Sequence, residues 1–321
     1  MTYKIPEIRF HPFDKEWEIR KFTDIVKRVS DKSNAAILPR VEFEDIVSNE
    51  GRLKTDFTNK VGGRKGIHFY PGYILYGKLR PYLNNWLFPN FEGIALGDFW
   101  VFKTLHGIPA FNYYLIQTNK YQKVANISSG TKMPRSDWGT VSSTQFYIPG
   151  TTEEQFKISE FLKHIDELIE HNQHALHLLK QRKKAFLQKM FPKKGESLPE
   201  IRFSGFENEW KKKKVGEYLN SFSNKTYIED QYEMLSSTTN GLERRSGRVN
   251  GKSNKGYQII EKGDLVLSPQ NLWLGNINYN ENFDIGMVSP SYKTFKFENI
   301  NHLFFSRLLR LPKMFYEYER S

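Results

Sequence analysis

The chain has 321 residues, 38% of them hydrophobic and 26% charged, with a formal net charge of +12. This length exceeds one ordinary core and predicts two soluble domains, while the positive charge favours a polyanionic partner such as nucleic acid. The lack of cysteine excludes disulfides, cysteine-ligated zinc and thiol nucleophiles, and the lack of an 18-residue apolar run argues against a membrane span, so we expect a cytoplasmic protein.

The opening phrase of the chain is repeated later. PEIRFHPFDKEWEIRKFTDIV occupies residues 6–26, and PEIRFSGFENEWKKKKVGEYL occupies residues 199–219, 193 positions further on, with nine of 21 residues identical. At the same offset, GIALGDFWVFK at 93–103 aligns with GMVSPSYKTFK at 286–296. An offset kept over this span indicates two copies of one domain.

Two polar loops of the first copy carry candidate nucleic-acid contacts. One follows GYILYG (72–77), which predicts a turn glycine and a short buried strand, and the other is SSGTKMPRSDW (128–138). Arginine and lysine match guanine edges, asparagine and glutamine match adenine, and hydroxyl groups reach phosphates. The candidates are Lys78, Arg80, Asn84, Asn85, Ser129, Thr131, Lys132 and Arg135. For any one of them, simple surface solvation is the alternative interpretation.

A long amphipathic helix is predicted next. It opens with a capping box and acids from Thr152, ends near Pro192 and Gly195, and spans about 38 residues, or roughly 57 Å. Its apolar stripe comprises Ile158, Phe161, Leu162, Ile165, Leu168, Ile169, Leu176, Leu179, Phe186 and Leu187. Burying such side chains is worth roughly 1.5–3 kcal/mol each, so the stripe needs a facing helix from another subunit or a second copy. Asn172 either fixes the register of that pairing or is merely tolerated.

The repeat and the helix together predict the domain organisation. We expect a first domain at 1–150, the helix at 151–194, and a second domain at 195–321. The tryptophans at equivalent places, Trp17 and Trp210, are interpreted as packed anchors at the start of each copy, with stacking on a base as the alternative.

The second copy has its own basic loops. GLERRSGRVNGKSNKG (241–256) and SPQNLW (268–273) contribute the candidates Arg244, Arg245, Arg248, Lys252, Gln270 and Asn271. Between Lys180 and Lys214 there are twelve basic residues and four glutamates, a local charge of +8. Nothing in the second copy matches 129–150, so we expect this copy to be truncated at its C-terminal end.

These motifs carry a family resemblance over essentially the whole chain. The head PEIRF–GF–W, the run IP–EEQ–KI–FL–ID–I and the junction LLKQRKKAFLQKMFP before a second PEIRFSGFENEW together resemble the specificity subunit of type I restriction–modification systems. The resemblance implies an α+β fold with two repeated target-recognition domains, joined by a long coiled-coil-type helix. Here the second domain lacks its last part and the distal helix is missing.

The resemblance also implies a function. Each recognition domain of such a subunit reads one half of a split site on double-stranded DNA, and the subunit has no catalytic centre. Methyltransferase subunits that use S-adenosylmethionine and motor–nuclease subunits that use ATP and Mg do the chemistry, so we expect no cofactor or metal on this chain. The departure at its end leaves a half-type subunit that pairs with a second copy, or with a complementary fragment, as an open alternative.

Two other classes of function remain as alternatives. A stand-alone nuclease or methyltransferase would need catalytic motifs, and GRVNGKS (247–253) is one residue short of a phosphate-binding loop. A basic coiled-coil scaffold would bind DNA without preference between sequences.

Overall fold

A computed structural model describes residues 6–54, 62–127, 133–193, 195–245 and 253–319. The chain divides into two compact units, Met1–Leu176 (unit 1) and His177–Ser321 (unit 2). Each unit has hydrophobic clusters of its own. The boundary falls inside the long helix, which therefore contributes residues to both units.

The described residues of unit 1 form ten short strands and several helices. The strands are β1 (Glu18–Lys21), β2 (Val26–Val29), β3 (Lys32–Ser33), β4 (Arg40–Val41), β5 (Gly66–Phe69), β6 (Ile74–Gly77), β7 (Trp86–Leu87), β8 (Gly93–Ala95), β9 (Phe99–Thr104) and β10 (Gln145–Ile148). The α-helices are α1 (Phe22–Ile25), α2 (Pro109–Leu115), α3 (Asn119–Ala125), α4 (Trp138–Ser143) and α5 (Thr152–Lys189). Short 3-10 helices occupy Phe43–Asp45 and Pro81–Leu83.

The described strands of unit 1 form three sheets. One is antiparallel with the order β2–β9–β6–β7, a second has the order β3–β5–β8–β4, and β1 pairs with β10. The predicted strand after the turn glycine is confirmed as β6, and all four of its residues are buried. Its side chains pack with those of the helices into an aromatic core centred on Phe22, Tyr76, Phe102, Tyr121 and Phe146.

Unit 2 repeats this plan. Its strands are β11 (Leu219–Phe222), β12 (Leu235–Ser237), β13 (Leu242–Arg244), β14 (Gln258–Glu261), β15 (Leu265–Leu267), β16 (Ile277–Tyr279), β17 (Ile285–Val288) and β18 (Lys293–Phe297). Helices α6 (His302–Leu309) and α7 (Pro312–Tyr318) follow, and 3-10 helices occupy Val215–Glu217 and Pro269–Leu274.

The predicted repeat is confirmed at the level of strand register. The sheet β11–β18–β15–β16 has the order of β2–β9–β6–β7. Val26 pairs with Thr104 in unit 1, and the residues 193 positions later, Leu219 and Phe297, pair in unit 2. Within the part of unit 2 that the structure describes, no counterpart of α4 or β10 occurs.

The long helix is confirmed as α5, with 38 residues. Its predicted cap is corrected, because the hydroxyl of Thr151, not of Thr152, accepts from the Glu154 backbone N–H at 3.3 Å. Gln155 does not reach back to the helix start; its amide accepts from Ile108 N at 2.9 Å and donates to Pro149 O at 2.9 Å. No helix among the described residues has the length and apolar character needed to cross a membrane.

Candidate nucleic-acid interface

The structure brings the two basic loops of unit 1 together. Leu79 and Arg135 form an isolated antiparallel bridge. On either side of it, the backbone N–H of Arg80 donates to Pro134 O at 2.7 Å, and that of Ser136 donates to Lys78 O at 2.9 Å. Residues 57 positions apart thus form one surface, which we call the basic bridge and define as Lys78, Arg80 and Arg135.

Asp98 organises the cations of the basic bridge. Arg135 Nη2 lies 3.1 Å from Asp98 Oδ2, and Lys78 Nζ lies 3.6 Å from Asp98 Oδ1. The Arg135 side chain remains 51% exposed, so it can still meet a ligand while one carboxylate orients it. Asp98 pairs with two of these cations, and Arg80 adds a third positive charge, so the surface keeps a net positive charge of the kind that attracts phosphates.

Two residues of this loop adopt the left-handed backbone conformation. Arg80 has φ 49° and Asn84 has φ 53°, and for a non-glycine residue this costs roughly 1–2 kcal/mol. The hydrogen bond from Arg80 to Pro134 and the 3-10 helix Pro81–Leu83 between the two residues hold the loop in this shape. The loop therefore presents its side chains from a fixed backbone.

The adjacent asparagines have different surroundings. Asn84 is partly exposed, and its amide donates to Asn49 Oδ1 at 3.2 Å. Asn85 is only 3% exposed; its oxygen accepts from Ser48 Oγ at 2.8 Å and its amide donates to Phe43 O at 3.1 Å. Asn85 is therefore part of the interior of unit 1 and does not belong to the candidate contact surface.

The start of α4 borders the basic bridge. The carboxylate of Asp137 accepts from the hydroxyl and the backbone N–H of Thr140, both at 2.7 Å. These bonds, the hydroxyl first, hold the pKa of Asp137 below its usual value. These bonds fix the position of Asp137, which lies two residues after Arg135 at the start of α4.

Some of the predicted contact residues lie outside the described residues, namely Ser129, Thr131, Lys132, Arg248 and Lys252.

Comparison with known proteins finds a family match that includes Arg135 of the basic bridge. Residues 84–181, from Asn84 to about two turns before the end of α5, match the family described as type I restriction modification DNA specificity domain. Over these residues the chain is similar to a type I restriction–modification DNA specificity domain. The resemblance predicted from the repeated motifs is thereby confirmed. No curated protein sequence matches the chain.

Solved structures share the fold of this chain. The type I restriction–modification S subunit from M. genitalium is 14% identical, with 100% of this chain and 82% of that chain covered and a TM-score of 0.57. A structure described as showing complex assembly and conformational transition of the type I R-M system is 15% identical, with 96% and 81% covered and a TM-score of 0.50. The predicted α+β class, with two repeats and a long helix, is confirmed.

The equivalent loop of unit 2 carries different side chains. Gln270 and Asn271 are exposed on the 3-10 helix between β15 and β16, beside Trp273, which is 54% exposed. In the other loop, Arg244 Nε lies 2.6 Å from Glu233 Oε1, and Arg245 donates to the sulfur of Met234 at 3.7 Å. The loop with Gln270 and Asn271 thus presents amides and an indole where the equivalent loop of unit 1 presents Lys78 and Arg80.

The predicted stripe of α5 is largely exposed. Ile158 packs on the core of unit 1, and Leu162 and Leu187 are half-buried. The other stripe residues are at least 39% exposed, namely Phe161, Ile165, Leu168, Ile169, Leu176, Leu179 and Phe186. Among the described residues no second helix of this length occurs. The amide of Asn172 donates to Leu168 O within the helix at 2.7 Å.

Sequence reasoning missed the ion pair that ties α5 to the opening motif. Arg9 Nε and Nη2 donate to the two oxygens of Glu154 at 2.7 and 2.8 Å, and Trp17 Nε1 donates to Oε1 at 3.1 Å. The bond to Glu154 raises the pKa of Arg9. The only signal was the recurrence of Arg and Trp in the repeated phrase. No group of three carboxylate or imidazole side chains in the described ranges could hold a metal ion.

Proposed function

We propose that this chain is the sequence-specificity subunit of a type I restriction–modification complex and binds a bipartite target on double-stranded DNA. The match of residues 84–181 to a DNA specificity domain carries the proposal. Two features support it: the repeated sheet gives two equivalent surfaces, and the net charge of +12 suits a polyanion.

In unit 1, the basic bridge is the proposed contact surface. Arginine pairs with the O6 and N7 of guanine through two parallel hydrogen bonds, and Arg135 is the exposed guanidinium that a carboxylate already orients. Lys78 and Arg80 neutralise phosphates beside it. In unit 2, Gln270 and Asn271 have the amide chemistry that matches adenine.

The chain itself performs no reaction in this proposal. It positions methyltransferase subunits, which bind S-adenosylmethionine, and motor–nuclease subunits, which bind ATP and Mg, on DNA in the cytoplasm. The exposed stripe of α5 supports a role in assembly, because apolar surface of this extent is normally covered by a partner.

Arg135→Ala tests the proposal. The chain is co-expressed with the methyltransferase subunits of its system, and N6-methyladenine is mapped over the host genome. We expect one split motif to be methylated, and Arg135→Ala to lower discrimination at one position of that motif by about 10–100-fold, because a bidentate contact is worth roughly 1–3 kcal/mol.

Arg20→Ala is the matched control. Arg20 also pairs with a neighbouring carboxylate, that of Glu18 at 2.7 Å, but lies outside both basic loops, so methylation should be unchanged. Methylation without a preferred motif, or DNA binding that both variants weaken equally at all sequences, would favour the basic scaffold instead.

A further inference from the structure

Each unit carries an exposed aromatic ring at the same place in an equivalent segment, which we call its insert. The insert of unit 1, GKLRPYLNN (77–85), leads from β6 to β7, and that of unit 2, SPQNLWLGN (268–276), leads from β15 to β16. Each insert has nine residues and a single aromatic one, the sixth, which is Tyr82 in unit 1 and Trp273 in unit 2. The exposed fractions of these two residues are 58% and 54%.

The two inserts also share their backbone structure. In each, the N–H of the first residue donates to the carbonyl oxygen of the ninth, at 2.7 Å in unit 1 and 2.9 Å in unit 2. The N–H of the eighth residue donates to the carbonyl oxygen of the fifth, at 2.9 Å in both inserts. The eighth residue is left-handed, with φ 53° at Asn84 and 89° at Gly275. The same turn therefore presents the ring in both units.

The residue before each ring is anchored, whereas the ring has no partner. Pro81 is buried, and Leu272 packs on the hydrophobic cluster that contains Phe305. Among the residues that the structure describes, the side chains of Tyr82 and Trp273 have no hydrogen bond and no contact with another ring. One exposed aromatic residue is ordinary on a protein surface. Its recurrence at one position of two different inserts needs a reason.

The other exposed side chains of the two inserts differ in chemistry. Unit 1 presents Lys78 and Arg80, whereas the insert of unit 2 contains no charged residue and presents Gln270 and Asn271. Side chains that differ in this way match different base edges. An aromatic ring can stack on any base, because every base has a π face. The shared ring therefore suits a contact that both halves of a DNA target require, whatever their sequence.

We propose that Tyr82 and Trp273 enter the stack of base pairs of double-stranded DNA, one in each half of the target. Bulky side chains that enter a base step unstack it partly and kink the duplex. Pyrimidine–purine steps are the expected places, since they are the most easily kinked. This inference rests on the proposed DNA recognition and adds a contact through which each unit deforms its half of the site.

Fluorescent base analogues test the proposal. The complex of this chain with the methyltransferase subunits of its system is bound to a duplex that carries the methylated motif. One purine at a time is replaced, adenine by 2-aminopurine or guanine by 6-methylisoxanthopterin, and both analogues brighten when they are unstacked. We expect one bright position in each half of the motif. Tyr82→Ala should abolish the signal in one half, and Trp273→Ala should abolish that in the other half.

Conservative variants and a matched control separate stacking from other effects. Tyr82→Phe and Trp273→Phe keep a ring and should keep both signals. Tyr227→Ala removes an aromatic residue that is 80% exposed but lies outside both inserts, and it should change nothing. The alanine variants of the two inserts should methylate the same motif about 5–100-fold more slowly, which is the range for loss of one aromatic contact with a base.

The outcomes distinguish this inference from the proposed function. If the parent methylates one motif but no position brightens, or if the alanine variants brighten both halves as the parent does, the inference is overturned and the proposed function stands. Loss of the methyltransferase subunits from an alanine variant would show that the ring binds a protein, which also overturns it. A parent that methylates no motif would refute the proposed function, and this inference with it.

Loss of signal must not reflect loss of fold. Because both rings are exposed, the alanine variants should unfold at the temperature of the parent within about 2 °C.

Discussion

Replacing Phe22 with alanine is expected to lower the free energy of unfolding of unit 1 by about 3–5 kcal/mol. Phe22 is fully buried, and its ring lies 5.3 Å from Phe102, 5.2 Å from Tyr121, 6.3 Å from Trp138 and 5.8 Å from Phe146. The substitution with alanine removes the aromatic ring that packs among these four rings. The cavity would be closed only partly, because the four rings are held by the strands β9 and β10 and by the helices α3 and α4.

Native-state hydrogen exchange read by mass spectrometry measures this effect, because it reports the two units separately. Amides of β9 should exchange faster in Phe22→Ala, while amides of β18 in unit 2 provide an internal reference. Ile37→Ala is the control, since Ile37 is 85% exposed and its removal should change stability by less than about 0.5 kcal/mol. Equal acceleration in both units would show that they unfold together.

Replacing Glu154 with glutamine is expected to destabilise the start of α5 by about 2–4 kcal/mol. The carboxylate accepts three hydrogen bonds, two of them from Arg9, and bonds to charged groups contribute roughly 1.5–3 kcal/mol each. The amide keeps the shape but removes the negative charge and turns one acceptor into a donor. Amides of residues 153–160 should then exchange faster.

Arg202→Gln is the informative counterpart of this variant. It removes the equivalent arginine of unit 2, which has no acidic partner among the described residues, so the exchange of unit 2 should not accelerate. If Glu154→Gln left the exchange of residues 153–160 unchanged, the contact of Glu154 with Arg9 and Trp17 would not contribute to the stability of α5.

The regular parts of this fold could be predicted from sequence because local patterns determine them. Three- and four-residue spacing of apolar side chains predicts α5, and a constant offset predicts the repeated sheets. The cap of α5 was wrong by one residue because tertiary contacts competed with local ones. Gln155 bonds Ile108 and Pro149 instead of its own helix start, which leaves capping to Thr151.

The candidate surface could be predicted in its composition but not in its geometry. Lys78 and Arg135 were each predicted from polar loops, yet no periodicity indicates that a bridge joins Leu79 and Arg135, 56 positions apart. Asn84 and Asn85 are the same residue type in the same loop, and only the backbone direction after the left-handed Asn84 carries Asn85 inward. Contacts of long sequence separation, such as that of Arg9 with Glu154, leave no trace in local patterns.

The matched strand register has an evolutionary consequence. Tyr76 pairs with Trp86 in unit 1, and Leu267 pairs with Ile277 at the equivalent position of the sheet in unit 2. Each pair flanks an insert of nine residues, 77–85 in unit 1 and 268–276 in unit 2. One insert is cationic and the other is rich in amides. Exchange of either insert would leave the pairs Tyr76–Trp86 and Leu267–Ile277 in place, which would let a lineage acquire new preferences on an unchanged pair of strands.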